Sequence, residues 1–209
     1  MTDQLARLPG LAGAVELLDR SLSYTRVALA AVSDDRLGAA TPCSDWDLAQ
    51  LLAHMEDSLD AFGEGATGTV RITTTTPAAC RAGVLQTKAC ALLGAWSAEV
   101  PASVSVGEHQ IATSVLALAA ALEITVHGWD VAWARGLDHP VPEDLAVCLL
   151  PVATTLVTAA DRGSRFADAV PPEAGGGACA LLLGFVGRTM TGPPGQVCAK
   201  PGADPQIAS

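Results

Sequence analysis

Three ionisable side chains interrupt a long apolar segment in the middle of the chain. Between Ile111 and Ala134 the only ionisable residues are Glu123, His127 and Asp130. The residues around them are apolar or small on nearly every face of a helix, and a helix of this kind is typically buried nearly all round. Burying a carboxylate without a partner costs roughly several kcal/mol. Glu123 is therefore expected to be protonated, paired or bound to a metal.

The spacing of Glu123 and His127 permits both side chains to bind one ion. Residues four apart on a helix bring their Cβ atoms within about 5 to 6 Å of each other on the same face. A catalytic zinc site usually takes three protein ligands and leaves one position for water or substrate, and His54, in an earlier helical segment, is the candidate third ligand. Because histidine must be neutral to bind, metal affinity should fall below about pH 6.

Spacing alone leaves other interpretations open. A glutamate and a histidine four residues apart also form ordinary solvated hydrogen bonds on helix surfaces. Asp130 could orient a liganding histidine from behind, or could simply face a tryptophan N–H or water. His109, in the sequence VGEHQ, could act as an acid or base over the mouth of a bundle, or be a solvated loop histidine. Cys43 could be a reactive thiol at a helix N-terminus or a packing residue.

The apolar periodicity predicts the elements that must position these side chains. A helix over 44–63 carries His54; its start signal is Ser44 with Asp47 three residues on, and its stop signal is Gly63. Residues 69–74 could be extended, and a connection containing Pro101 and Gly107 precedes the helix that carries Glu123 and His127. The predicted helices are 11–32, 44–63, 78–96, 111–135, 143–160 with a kink or break near Pro151, and 178–188.

This pattern predicts an all-α fold, a four-helix bundle with additional C-terminal helices. Residues 1–140 are expected to form the bundle, 141–190 a helical extension packed on it, and 191–209, which are rich in proline and glycine, a flexible tail. Half of the 209 residues are hydrophobic and only 4% are aromatic, which favours packed helices over a β-sandwich. Helices five and six could support a homodimer or could cap the bundle.

Charge and composition restrict the partners. The formal net charge of -10 disfavours binding to nucleic acid or to an anionic membrane surface. The apolar stretch 111–126 is short and too polar for a typical membrane span, and the first residues lack the apolar core of a signal peptide, so a cytoplasmic protein is expected. The six cysteines form no CxxC pair and are interpreted mostly as small buried hydrophobes.

Three segments together resemble a known family. These are TPCSDWDLAQLLAHM (41–55), LEITVHGWDVAWARG (122–136) and SRFADAVPPEAGGGACALLLGFVGR (164–188). In the same order they are similar to signature segments of an actinobacterial metal-binding family, the maleylpyruvate isomerase N-terminal-like group of the DinB-like superfamily. Members commonly have Pro-Gly where this chain has Ser44 and Asp45.

The resemblance implies a DinB-like four-helix bundle that binds a divalent metal, zinc or nickel, through His54, Glu123 and His127. It also implies chemistry on thiols, with mycothiol as a possible cosubstrate and a small metabolite as substrate. The expected reaction is thiol transfer, addition or isomerisation. Two alternatives are a metal-dependent cyclase, lyase or hydrolase, and a non-catalytic binding or self-resistance protein.

Overall fold

The computed structural model describes residues 8–30, 32–43, 46–70, 82–163, 165–172 and 175–189. Within these ranges the chain is mainly α-helical, which confirms the predicted all-α fold class, a four-helix bundle followed by further helices. The helices are α1 (Leu11–Ala30), α2 (Leu48–Ala66), α3 (Ala82–Trp96), α4 (Thr113–Ala134), α5 (Glu143–Leu156) and α6 (Ala178–Phe185).

Helix α4 is the central element of the bundle. It packs against α1 on one side and α2 on the other, while α3 contacts both α1 and α2, so the four helices enclose a common interior. Among the described residues, α4 is the one helix long and apolar enough to cross a membrane, but 78% of its most apolar stretch is buried inside the protein. It is therefore placed as the core helix of the bundle.

The contact between α1 and α4 is unusually close at Gly128. The Thr25 hydroxyl donates a hydrogen bond to the carbonyl of Ile124 at 2.8 Å, and a Cβ atom on Gly128 would overlap that hydroxyl. The missing side chain lets α1 approach the α4 backbone directly beside His127. This contact fixes α4 against its main neighbour at the position of the candidate site.

Helix α2 begins and ends later than predicted. Asp47 is the N-cap: its carboxylate accepts from the N–H of Gln50 at 2.9 Å, and the Gln50 side chain accepts from the N–H of Asp47 at 3.0 Å. The predicted start at Ser44, which itself lies outside the described residues, is therefore wrong. Gly63 does not stop the helix; the chain leaves it only before Gly68, whose φ of 94° lies in the left-handed region.

A small sheet forms most of the connection that was predicted before α4 without any strand. Strands β1 (Thr69–Val70), β2 (Ser103–Val106) and β3 (His109–Ala112) are arranged in the order β1-β2-β3. The β1–β2 pair is parallel and the β2–β3 pair is a tight antiparallel hairpin. Because β3 extends to Ala112, α4 starts at Thr113 rather than at residue 111. The predicted start of the third helix at residue 78, and most of the stretch 69–74 expected to be extended, lie outside the described residues.

The C-terminal helices are shorter than predicted. Helix α5 continues through Pro151 without a break and ends at Leu156, and α6 ends at Phe185. Helix α5 packs against α4 and α1, and α6 packs against α5. The division at residue 140 stays a prediction, and the tail 191–209 lies outside the described residues.

Candidate metal centre

The structure brings His54, Glu123 and His127 together between α2 and α4. One oxygen of Glu123, Oε1, lies 2.6 Å from Nε2 of His54 and 3.2 Å from Nε2 of His127. One ligand atom from each of the three residues lies within 4.8 Å of the other two. The side chains of His54 and Glu123 are 35% and 26% exposed, against 9% for His127. The cluster is thus open to small molecules on one side and closed behind His127.

Two further side chains contact the cluster. The Trp46 ring lies 4.6 Å from the His54 ring, centroid to centroid, and 6.2 Å from that of His127. The Ser58 hydroxyl, one helical turn after His54 on α2, donates to Glu123 Oε1 at 3.3 Å. Trp46 shields the two imidazoles, and Ser58 adds a donor to the carboxylate.

Behind the cluster, Asp130 binds the second nitrogen of His127. Oδ2 of Asp130 lies 2.9 Å from His127 Nδ1, so Nε2 of the same ring is left to face Glu123. The Asp130 side chain is fully buried and is held by Arg188, whose Nη2 donates to Oδ2 at 2.8 Å and whose Nε donates to Oδ1 at 3.2 Å. A carboxylate behind a histidine in this way fixes both the tautomer and the orientation of the ring.

The charges within the cluster shift its pKa values in opposite directions. Burial raises the pKa of Glu123, but the charge of His127 and hydrogen bonds from both histidines outweigh burial and hold that pKa well below its ordinary value. Burial lowers the pKa of His127, but the Glu123 carboxylate and the hydrogen bond to Asp130 raise it well above its ordinary value. Without a metal, the site therefore favours an ionised Glu123 beside a protonated His127.

A second group of ligand types shares His127 but is less suited to a cation. Cys43, His127 and Asp130 also lie close enough to reach one ion. Arg188 already donates to the Cys43 sulfur at 3.1 Å and to both oxygens of Asp130, so its positive charge occupies that place. Like charges repel at such distances. In the set of His54, Glu123 and His127, no arginine of the described ranges is bonded to the three ligand atoms, so this is the better candidate of the two for a cation.

A cavity of about 380 Å³ lies inside the bundle and reaches Glu123. Residues from all four bundle helices line it, and most of the lining is apolar. The polar residues of the lining are Asp19, Ser23, Thr25, Arg26, Ser58, Gln86 and Glu123, and the others include Cys90, Leu22, Leu29, Met55, Leu59 and Leu93. The cavity is large enough for a small, mainly apolar molecule.

His109 is not brought into this cluster. It is exposed on β3, where it pairs across the hairpin with Val106. Strand β3 meets α4 at Thr113, and at 1.5 Å per residue the helix rises about 15 Å from there to Glu123. Its role as an acid or base stays a prediction without support from the geometry.

Sequence reasoning missed Arg188 and favoured a packing role over a reactive thiol for Cys43. Arg188 is buried, yet it lies 58 residues from Asp130, so no helical spacing connects the two. The available signal was a single basic residue directly after the apolar run of the last helix. Cys43 is half-buried and its Sγ lies 3.5 Å from Asp130 Oδ2, which places it in the polar network rather than in the apolar core.

The chain is similar in sequence to two proteins of one bacterial species. No protein-family model matches the chain. Two uncharacterized proteins of Mycobacterium tuberculosis, from strains CDC 1551 / Oshkosh and ATCC 25618 / H37Rv, are each 29% identical over 175 residues, covering 78% of this chain and 90% of theirs.

Among solved structures, the mycothiol-dependent maleylpyruvate isomerase is similar to this chain with a TM-score of 0.50 and 16% identity, over 68% of each chain. A variant of that enzyme with one histidine replaced by alanine matches with the same TM-score and 17% identity. The two chains share a fold. The all-α, four-helix bundle expected from the sequence is thereby confirmed.

Proposed function

We propose that the protein is a metal-dependent enzyme that acts on a small metabolite with the help of a low-molecular-weight thiol of the mycothiol type. The reaction would be transfer of the thiol, addition of the thiol, or isomerisation of the metabolite. The observation that carries the proposal is the meeting of His54, Glu123 and His127 with ligand atoms within 4.8 Å of one another. The likeness in fold to an enzyme described as mycothiol-dependent supports the thiol.

The donor set fits a divalent transition metal, zinc first and nickel second. Two imidazole nitrogens and one carboxylate are the ligands of several catalytic zinc sites, and all three come from helices rather than from loops. A bound ion would also compensate the charge of Glu123, which is partly withdrawn from water. When bound, such an ion supplies positive charge that lowers the pKa of a thiol or water in contact with it.

The chain's own residues prepare the site for that chemistry. Asp130 holds His127 Nδ1, so that Nε2 is directed at the cluster, and Ser58 and His54 bind the Glu123 carboxylate from the other side. Trp46 restricts access of water to the two imidazoles. The mainly apolar cavity beside Glu123 would bind the metabolite.

Metal content is the first test. Protein purified after growth with zinc or nickel should contain about one equivalent of metal, and the His127→Ala variant should contain almost none. His109→Ala is the matched control, since it also removes a histidine but from the exposed hairpin, and it should keep the metal. A full equivalent of metal in His127→Ala would contradict the assignment of the ligands.

Turnover then distinguishes the classes of function. The metal-loaded protein should add mycothiol to an α,β-unsaturated carbonyl compound, or isomerise that compound only when mycothiol is present. Removal of the metal should abolish either reaction. Metal-dependent turnover without any thiol would instead indicate a cyclase, lyase or hydrolase. Binding of an apolar ligand that survives metal removal, with no turnover, would indicate a non-catalytic binding protein.

A further inference from the structure

Arg188 enters the site from outside the four-helix bundle. It follows α6, where the N–H of Gly187 donates to the carbonyl of Gly184 at 3.0 Å and that of Arg188 to the carbonyl of Leu183 at 2.8 Å. This pair of bonds is the Schellman arrangement, which requires a left-handed residue, and Gly187 has a φ of 79°. A Cβ atom there would also crowd Ala167. The reversal at Gly187 turns the chain so that Arg188 points back into the protein.

The guanidinium of Arg188 is held on every side. Besides its two bonds to the oxygens of Asp130, it donates through Nη1 to the carbonyl of Val186 at 2.9 Å and through Nη2 to the sulfur of Cys43 at 3.1 Å. Only 7% of the residue is exposed, and Asp130 is not exposed at all. A two-pronged arginine–carboxylate pair of this kind fixes the plane of the carboxylate as well as its position.

The orientation of that plane matters because Asp130 uses one oxygen twice. Oδ2 accepts from Arg188 Nη2 and is also the oxygen beside His127 Nδ1. Without Arg188, the fully buried carboxylate would keep only its contact with His127, with no second partner to fix its plane, and it would turn or lose its charge. His127 would then lose the contact that directs its Nε2 toward Glu123 and His54.

We propose that Arg188 is a positioning residue of the metal centre, which holds the Asp130 carboxylate in the orientation that fixes His127 as a ligand. This inference rests on the proposed function for the metal itself. The segment after α6 would then contribute to the site, because the described residues of the four bundle helices supply no partner besides His127 that holds the Asp130 carboxylate in place.

Three variants test the proposal. Arg188→Met removes the charge and the two-pronged contact with Asp130. Arg188→Lys keeps the charge but cannot form the two-pronged contact. Arg162→Met is the matched control. Arg162 donates to the carbonyls of Ala167 and Phe185 and covers the Phe185 ring, so it fastens the same C-terminal segment while its own hydrogen bonds lie away from the cluster.

The first readout is metal affinity, measured with zinc against a competing chelator. Loss of a residue that supports a ligand typically weakens binding about 10- to 100-fold. We expect that loss for Arg188→Met, a smaller loss for Arg188→Lys, and wild-type affinity for Arg162→Met. The electronic spectrum of the cobalt-substituted protein should change in both Arg188 variants, since it reports the arrangement of the ligands. If Arg188→Met does not fold, the lysine variant decides the question by the same two measurements.

The second readout needs no metal. Hydrogen-bonded imidazole protons give low-field proton resonances, and the His127 Nδ1 proton, assigned by its loss in His127→Ala, should be present in the wild type and in Arg162→Met but absent in Arg188→Met. If the wild type takes up no zinc, the proposed function fails, and this resonance still decides whether Arg188 fixes His127. Wild-type zinc affinity, cobalt spectrum and resonance in Arg188→Met would overturn the inference, as would equal losses in Arg162→Met and Arg188→Met.

Discussion

Glu123 is the residue on which the candidate site is centred. A single oxygen, Oε1, receives contacts from His54, His127 and Ser58, and the same side chain borders the cavity. The i, i+4 spacing predicted the contact with His127, because helix geometry is nearly fixed. The approach of His54 depends on how α2 packs against α4, which no local pattern encodes. His54 was therefore expected as a ligand from the family resemblance as much as from the sequence itself.

Substitution of Glu123 should separate ligand loss from loss of a supporting contact. Glu123→Gln keeps the shape of the side chain but removes its charge. We expect zinc affinity to fall by more than about 100-fold, which is a larger loss than is usual when a residue that only supports a ligand is replaced. Ser58→Ala removes one hydrogen bond to the same carboxylate and should cost about 10-fold or less. Chelator competition measures both, and similar affinities for the two variants would contradict the role of Glu123 as a ligand.

The raised pKa of His127 predicts that protons compete with the metal at neutral pH. In the metal-free protein this imidazole keeps its proton above its ordinary range, because Glu123 and Asp130 favour the charged form despite burial. Zinc binding must displace that proton, so affinity should rise steadily with pH from 6 to 8. Calorimetry in buffers of different ionisation enthalpy would detect the released proton. An affinity that does not change over this range would contradict the shift.

At the scale of the elements, the long helices were predictable and the short segments were not. Apolar residues recur at helical spacing over many turns in α1, α2 and α4, so the signal accumulates. Strands β1, β2 and β3 have only two to four residues each and depend on pairing between distant segments. Gly63 misled the prediction for α2 because a glycine tolerates a helical backbone as well as a left-handed one.

Gly128 should be the least replaceable glycine of the bundle helices. A Cβ atom at this position would overlap the hydroxyl of Thr25, so Gly128→Ala must push α1 and α4 apart beside His127. Overpacking of this kind lowers the free energy of unfolding by about 1 to 3 kcal/mol.

The control for this prediction is Gly94→Ala, on the exposed face of α3, where no atom lies within 4 Å of the added Cβ. That variant should be up to about 1 kcal/mol more stable, because alanine favours helix more than glycine does. Urea unfolding measures both variants. Equal stabilities would mean that α1 can move away from α4 at little cost.

At the scale of the whole molecule, one buried ionic network connects segments that are far apart in sequence. Cys43 precedes α2, Asp130 lies near the end of α4, and Arg188 follows α6. Composition and periodicity predict which residues are apolar and on which face, but not which buried charges will meet. Arg188 therefore could not be placed from the sequence, whereas the bundle that surrounds it could.

This network should make the stability of the metal-free protein depend on pH in two directions. Burial raises the pKa of Asp130, but Arg188 and His127 outweigh it and lower the pKa from 3.8 to about 2. Its stabilising effect, about 2 kcal/mol for a shift of this size, is present above pH 4 and is lost as the pH falls toward 2. The raised pKa of His127 acts in the opposite sense, since its contribution to stability is present below pH 6.5 and is lost as the pH rises through the shifted value.

The free energy of unfolding, measured with urea in the presence of a chelator, should therefore be highest between about pH 4 and 6.5. Arg188→Met should flatten the acid side of this profile while Arg162→Met leaves it unchanged, and a stability that keeps rising from pH 6 to 9 would contradict the assignment for His127.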